Sequence, residues 1–291
     1  MNDRFSKCHP LVNFLFFAGA IGTTVLIQHP AFLLTGVITG VVYYLLLNGK
    51  KGLKTLALLV PVFVIIAAVN PVFNTMGQRV LFTLFGRPYT LEALYYGIAT
   101  AGMFAGTMVW FGCYNKVLTG DKFTALFGNV IPAVSLLLVM VFRMVPGFVA
   151  KGRQLLGARQ SIGKGTGENA SVKEKMKGGA TVLGALATWA LEGSIVTADS
   201  MRARGYGSAK RTSFMIYRMT AADYLVLAAM AALFGAAVAA VVLGQAAASF
   251  VPAVDLAPVS WGWIAYTAYL LLPTVLHIKE NVKWHISRSK I

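Results

Sequence analysis

Met201-Arg202-Ala203-Arg204-Gly205-Tyr206-Gly207 closes a long alanine-rich run, Gly179 to Ser200, near the end of a polar middle section in an otherwise very apolar chain. A helical pattern followed at once by glycine is a stop signal, so the two arginines are expected at a helix tip. No catalytic constellation accompanies them. What surrounds the tip depends on the rest of the chain. Of its 291 residues 57% are hydrophobic and 12% charged, and the mean hydropathy is +0.68. That charge content is about half the globular norm. The composition is that of an integral membrane protein. The expected fold class is all-α, a polytopic membrane protein of about six transmembrane helices plus a cytoplasmic pair of long helices.

Six apolar segments carry the expected spans. Leu11–Ile27 and Ala31–Leu47 are separated by Gln28-His29-Pro30 and read as a tight helical hairpin, with Pro30 suited to a helix start. The first has no small-residue cleavage site and runs straight into the second, so it is expected to remain as a span. Asn48 to Lys54 reads as a turn with three lysines. Leu56–Val69 is the third span, stopping at Asn70-Pro71. Residues 72–90 mix aromatics with Arg79 and Arg87 and read as an interfacial segment. Leu91–Cys113 is the fourth, with glycines that allow close helix packing. Ala222–Val242 is the fifth. Trp261–Leu276 is the sixth, and a basic tail, His277–Ile291, follows. The domains are then 1–113, N-terminal transmembrane helices; 114–217, a cytoplasmic section with two long helices; and 218–291, C-terminal transmembrane helices and tail.

Charge sets the orientation. With both termini inside, the external loops carry only Arg79 and Arg87, and the other 24 of 26 basic residues (26 less these two) are cytoplasmic. If Ala125–Phe142 and Ala180–Ala198 both spanned, Arg143, Lys151, Arg153, Arg159, Lys164, Lys173, Lys175 and Lys177 would lie outside, against the positive-inside bias. Residues 114–217 are therefore placed on the cytoplasmic side. The same bias accounts for the net charge of +16, so nucleic acid is not an expected partner; the lipid bilayer is.

The chain lacks the residues of most active sites. Cys8 and Cys113 have no metal-ligand spacing and are too few for a disulfide framework. His9, His29, His277 and His285 lie at or beyond expected helix ends, where histidines are usually solvated or interfacial. No metal, no cofactor and no catalytic residue is expected. Gly157 to Gly165 resembles a phosphate-binding loop at a glance. It fails on spacing, on Gly165 in place of Ser or Thr, and on the absence of a preceding strand. The chain is thus not expected to be an enzyme by itself or to hydrolyse ATP. Intramembrane acids are nearly missing, apart from Glu92 and Asp223 at span edges, which counts against a self-sufficient proton-coupled carrier.

Two long helices are expected in the middle section, about Val134 to Ser161 and about Lys177 to Ala203. Pro146 should kink the first where it leaves the membrane. On the second, Thr188, Glu192, Asp199 and Arg202 fall near one face, while Leu183, Leu186, Trp189, Ala190 and Val196 cover much of the rest. A helix apolar around most of its girth must pack against something other than water. Arg204 has two readings. A cation at a helix C-terminus interacts favourably with the helix dipole. It is also a planar, five-donor side chain at a tip, suited to carboxylates or helix C-termini in a partner's groove, with Tyr206 and Gly207 shaping the contact.

Almost the whole chain resembles the transmembrane T component of energy-coupling factor (ECF) transporters, ABC-type importers of vitamins and of cobalt or nickel. The resemblance rests on the His9-Pro10 and Gln28-His29-Pro30 turns, Pro132, Arg143-Met144-Val145-Pro146 and Ala158-Arg159-Gln160. Above all it rests on Ala190-Leu191-Glu192 with Ala198 to Gly207. It implies two cytoplasmic coupling helices whose Ala-Arg-Gly-like ends dock in grooves of two ABC ATPase subunits. Movement would pass to a small membrane S component that holds the substrate. Ala203-Arg204-Gly205 matches the second motif in full. Ala158-Arg159-Gln160 keeps the first as Ala-Arg without the glycine; a shifted register ends at Ser161-Ile162-Gly163 and loses the arginine. Arg143, Pro146, Arg202 and Tyr206 would support the contacts. The implied location is a bacterial cell membrane with both termini cytoplasmic. Against this stand a stand-alone permease or channel, which needs a polar path between helices, and a membrane-embedded enzyme, which needs clustered acids or histidines.

Overall fold

His9-Pro10 and His29-Pro30 open two helices by the same device. Proline takes the first helical position, where its missing N–H costs nothing. The histidine before it accepts a backbone N–H through Nδ1, from Leu11 at 3.2 Å and from Ala31 at 3.3 Å. In a computed structural model, residues 4–74, 77–84, 87–128, 132–164, 171–208, 217–250 and 254–288 are described. Gly165, which bore on the sequence reading, lies outside them.

The described chain is predominantly helical: α1 (Arg4–Lys7), α2 (Pro10–Leu26), α3 (Pro30–Asn48), α4 (Lys50–Phe73), a hairpin of β1 (Val80–Leu84) and β2 (Arg87–Thr90), α5 (Leu91–Val117), α6 (Gly120–Gly128), α7 (Pro132–Ser161), α8 (Val172–Ala203), α9 (Ala221–Val242), a minimal hairpin of β3 (Ala248–Ser249) and β4 (Asp255–Leu256), and α10 (Trp261–Arg288). Among the described residues five helices are long and apolar enough to cross a bilayer: α3, α4, most of α7, α8 and α9. The protein is a polytopic helical membrane protein in character. Length and composition alone do not separate α7 and α8, from the section placed in the cytoplasm, from the other three.

Several expectations need correction. The segment after α4, read as interfacial with no secondary structure assigned, contains a β-hairpin, because Val80, Phe82, Thr83 and Tyr89 are β-branched or aromatic and favour a ribbon. The turn after α3 is a single residue, Gly49 at φ +58°; Lys50, Lys51 and Lys54 already belong to α4. Pro61 and Pro71 both lie inside α4, which runs on to Phe73. α10 continues to Arg288, so His277 and His285 are helical and not in a tail. His29 is buried rather than solvated, its Nε2 donating to the Ala257 carbonyl at 3.0 Å because its Nδ1 is taken by the cap.

The chain divides into two compact units, Met1–Thr119 with Tyr217–Ile291, and Gly120–Ile216. In the first, Phe5, Phe16, Phe17, Tyr43, Trp110, Tyr266, Tyr269 and Leu270 form the core. Its rings meet edge-on or tilted, as with Phe5 and Phe16 at 5.2 Å, the arrangement ring quadrupoles favour. Two ring polar groups in the core find partners on other helices. The Trp110 Nε1–H donates to the Gly36 carbonyl at 3.1 Å, and the Tyr269 hydroxyl to the Phe16 carbonyl at 2.9 Å. Glycines admit these large rings: a Cβ on Gly40 would come within 3.2 Å of the Trp110 ring.

Charge sorts the ends of this unit. At one end the His9 N–H donates to Asp223 at 3.2 Å, and the Lys116 ammonium caps α3 through the Leu47 carbonyl at 2.8 Å. Arg4, Lys7, Lys50, Lys51, Lys54, Lys116 and Arg218 gather there. At the other end, where the Trp263 Nε1–H donates to the Ala31 carbonyl, the described basic residues are Arg79 and Arg87.

Gly97 marks the closest approach of α4 and α5. A Cβ there would lie 2.7 Å from the Ala67 carbonyl oxygen, a backbone atom that cannot rotate away. Gly97→Val is expected to force these helices apart and cost about 1–3 kcal/mol, read as a lower unfolding temperature of the detergent-purified protein. Gly102→Val on the same helix, where nothing lies within 4 Å, should leave it nearly unchanged.

Candidate functional site at two helix ends

In the second unit α7 and α8 cross antiparallel, position 148 facing 189 and 152 facing 186. The Phe148 ring meets Trp189 edge-on at 5.4 Å, and the Lys151 ammonium stands 6.0 Å from the Trp189 ring centre, within cation–π range. A Cβ on Gly152 would touch Leu186 at 3.7 Å. The cross sits near the middle of both helices, so each continues well past it.

α8 is built to be long. Ser171 and Glu174 form a capping box at its start, each side chain accepting the other residue's backbone N–H. Its interior polar residues are satisfied by the helix itself: Thr181, Thr188 and Thr197 hydroxyls donate to carbonyls four residues back. Its apolar residues are left outward, with Leu183 67%, Ile195 63% and Val196 69% exposed; Val182 is its buried residue. None of the described residues of the unit covers this surface.

Both helices end in a Schellman turn. On α8 the Gly205 N–H bonds to the Arg202 carbonyl at 2.9 Å and the Tyr206 N–H to the Met201 carbonyl at 3.0 Å, with Gly205 at φ +76°. On α7 the Gly163 N–H bonds to Gln160 at 3.0 Å and the Lys164 N–H to Arg159 at 2.9 Å, with Gly163 at φ +73°. Superposed on this hydrogen bonding, Gly163 corresponds to Gly205, Ile162 to Arg204 and Arg159 to Met201. α9 stops the same way at Gly244, so the turn alone is a general device of this chain. The glycine-rich stretch that resembled a phosphate loop is the last turns of α7 and its cap.

The two tips differ in what their arginines do. Arg159 lies a turn before the end, half-buried, and its Nη2 donates to the Lys164 carbonyl at 3.3 Å. It caps its own helix. Arg204 is the C-cap residue itself, at φ −83° and ψ 4°, and is exposed. Among the described residues its guanidinium has no hydrogen-bond partner. Arg202, Ala203, Gly205 and Tyr206 are exposed beside it, Tyr206 by 56%. Ala158 and Gln160 are exposed on α7. Arg143 and Pro146 are exposed farther back, and Arg143 shares a cleft with Asp121, Thr124, Val139 and Phe142. The structure thus brings Arg202 to Tyr206 together at one tip and leaves Arg143 and Pro146 away from both. Sequence reading missed the Phe148 contact and the carbonyl that Arg159 satisfies. Among the described residues no three His, Cys, Asp or Glu side chains gather in a way that could hold a metal.

This contrast predicts opposite local effects. Arg159→Ala is expected to loosen the α7 cap by about 0.3–1 kcal/mol, seen as faster amide hydrogen exchange at Gly163 and Lys164. Arg204→Ala should leave exchange at Gly205 and Tyr206 unchanged. No protein-family model matches the chain, and none of the curated proteins does.

Proposed function

We propose that this protein is the transmembrane T component of an ECF-type ABC importer for a micronutrient, a vitamin or a transition-metal ion. The observation that carries the reading is the exposed, unengaged Arg204 at the end of a 32-residue helix, followed by a positive-φ glycine. A guanidinium held at a rigid tip offers five donors to a groove that is acidic or lined by carbonyl ends. With no nucleotide-binding loop of its own, the chain would borrow its motor from two ABC ATPase subunits and act on a separate membrane S component. The apolar exposed surfaces of α7 and α8 give the other subunits a surface to lie against.

Topology supports the same side for the α8 tip on either reading of the middle section. With α2, α3, α4, α5, α9 and α10 as six spans and the basic end of the bundle in the cytoplasm, residues 114–217 begin and end there. If α7 and α8 also crossed, they would cross as a pair, and the chain would return to the cytoplasm at Arg204. Only the α7 tip, with Arg159, would change sides. Charge favours the first arrangement, since Lys164, Lys173, Lys175 and Lys177 lie between the two helices or on the first turns of α8. The location is then a bacterial cell membrane with both termini cytoplasmic. Affinity purification in mild detergent tests the reading: two ABC ATPases and a small membrane protein should co-purify. A chain that transports substrate after purification alone would refute it in favour of a permease.

A further inference from the structure

The β1–β2 hairpin carries apolar residues where a water-facing ribbon would alternate them with polar ones. Val80, Leu81 and Phe82 follow one another and are 55%, 52% and 50% exposed. The pairing register shifts between Val80 and Phe82, so the ribbon bends there. Phe82 stacks on Tyr89 at 4.6 Å and 12°. The hairpin is also firmly tied. Tyr89 donates its hydroxyl to the Ala68 carbonyl of α4 at 3.4 Å. The Arg79 N–H donates to Glu92 of α5 at 3.3 Å, and the Leu91 N–H to the Arg79 carbonyl at 2.9 Å.

Two physical demands fix its surroundings. The exposed apolar run needs an apolar medium. The outer edges of a two-stranded ribbon have backbone N–H and C=O groups without ladder partners, and these cannot sit in hydrocarbon. The boundary between acyl chains and headgroups meets both, and it is where aromatic rings and arginine settle. The end of α4 just before the hairpin is also apolar and exposed, Val69 by 44% and Phe73 by 73%. We infer that the β1–β2 hairpin is a membrane-interface anchor. Its Val80-Leu81-Phe82 run lies among phospholipid headgroups and upper acyl chains of the leaflet away from the basic end, and it holds the α4–α5 pair at a set depth. The partner is phospholipid, and the inference does not depend on the ATPase reading.

The test uses the full chain in phosphatidylcholine vesicles. Leu81→Cys and Phe82→Cys would each carry a nitroxide label, with the identically treated wild type as control because Cys8 and Cys113 are buried. At both positions collisions with oxygen should exceed those with a water-soluble nickel chelate, at a depth just below the phosphates. Nickel collisions dominating at both positions would overturn the inference in favour of a water-exposed ribbon. Exclusion of both reagents would overturn it in favour of a covering protein, a second copy included. To avoid any dependence on the labelled variants, a phospholipid with a photoreactive group in its upper acyl chain can be activated against the wild type. Adducts should map to 80–89; adducts only on helices, with none there, would refute the anchor.

Discussion

On the proposed docking role, Arg204→Glu should abolish ATP-driven uptake by the assembled transporter while leaving the protein inserted and folded. The Arg204 side chain is exposed and its guanidinium makes no hydrogen bond among the described residues, so no described contact of the fold depends on it. A buried charge at an interface is different. Removing one partner there costs about 2–5 kcal/mol of binding, and reversal adds repulsion. Since about 1.4 kcal/mol is tenfold in affinity, even the lower figure weakens docking more than tenfold. The check is uptake in a strain lacking the wild-type gene, beside membrane abundance and size-exclusion behaviour in detergent. Arg204→Lys should recover only part of the activity, because a point charge cannot reproduce a planar fork. Full uptake with Arg204→Glu would remove the docking role. A loss of membrane protein instead of uptake would show that Arg204 serves the fold.

Trp110→Ala should be the most damaging single substitution in the first unit. Trp110 is fully buried, meets Phe16 edge-on at 5.8 Å and Phe17 edge-on at 6.3 Å, and donates its Nε1–H to Gly36 across the α3–α5 contact. Truncating a buried Trp costs about 3–5 kcal/mol through lost contacts and the cavity left behind, a large share of a typical folding stability of about 5–15 kcal/mol. Low yield and aggregation on extraction into detergent are expected. Trp110→Phe keeps most of the volume and loses the hydrogen bond, while the Gly36 carbonyl keeps the Thr39 hydroxyl as a donor at 3.2 Å, so it should fall between, near the roughly 0.6–1.7 kcal/mol of an interhelical hydrogen bond in a membrane protein. The thermal midpoints of the three proteins in one detergent would give the order. Equal midpoints for Trp110→Phe and wild type would mean that the bond contributes nothing.

Much of the architecture was legible because its signals are local. Pro10 and Pro30 mark helix starts by a missing N–H, Gly205 marks a stop by its tolerance of positive φ, and apolar runs mark long helices by length alone. The errors fall where two local signals compete. Asn70-Pro71 read as a stop, yet α4 passes through Pro71 to Phe73. The hairpin at 80–90 lay inside a stretch too short and too mixed for periodicity to name, and pairing between its two strands settles it. His29 looked solvated because its acceptor, the Ala257 carbonyl, lies far along the chain.

The α7 tip shows the same limit at the candidate site. Ala158-Arg159-Gln160 and Ser161-Ile162-Gly163 were both admissible ends for that helix. The backbone hydrogen bonds choose Gly163 as the positive-φ residue, and the choice turns Arg159 inward onto the Lys164 carbonyl. Sequence by itself determined the membrane character, the helical class, the basic asymmetry and the exposed arginine at the α8 tip, since composition and capping act over a few residues. Tertiary structure alone decided how Trp110, Tyr269, His29 and the hairpin are held, because their partners lie on other elements and no spacing rule reaches them.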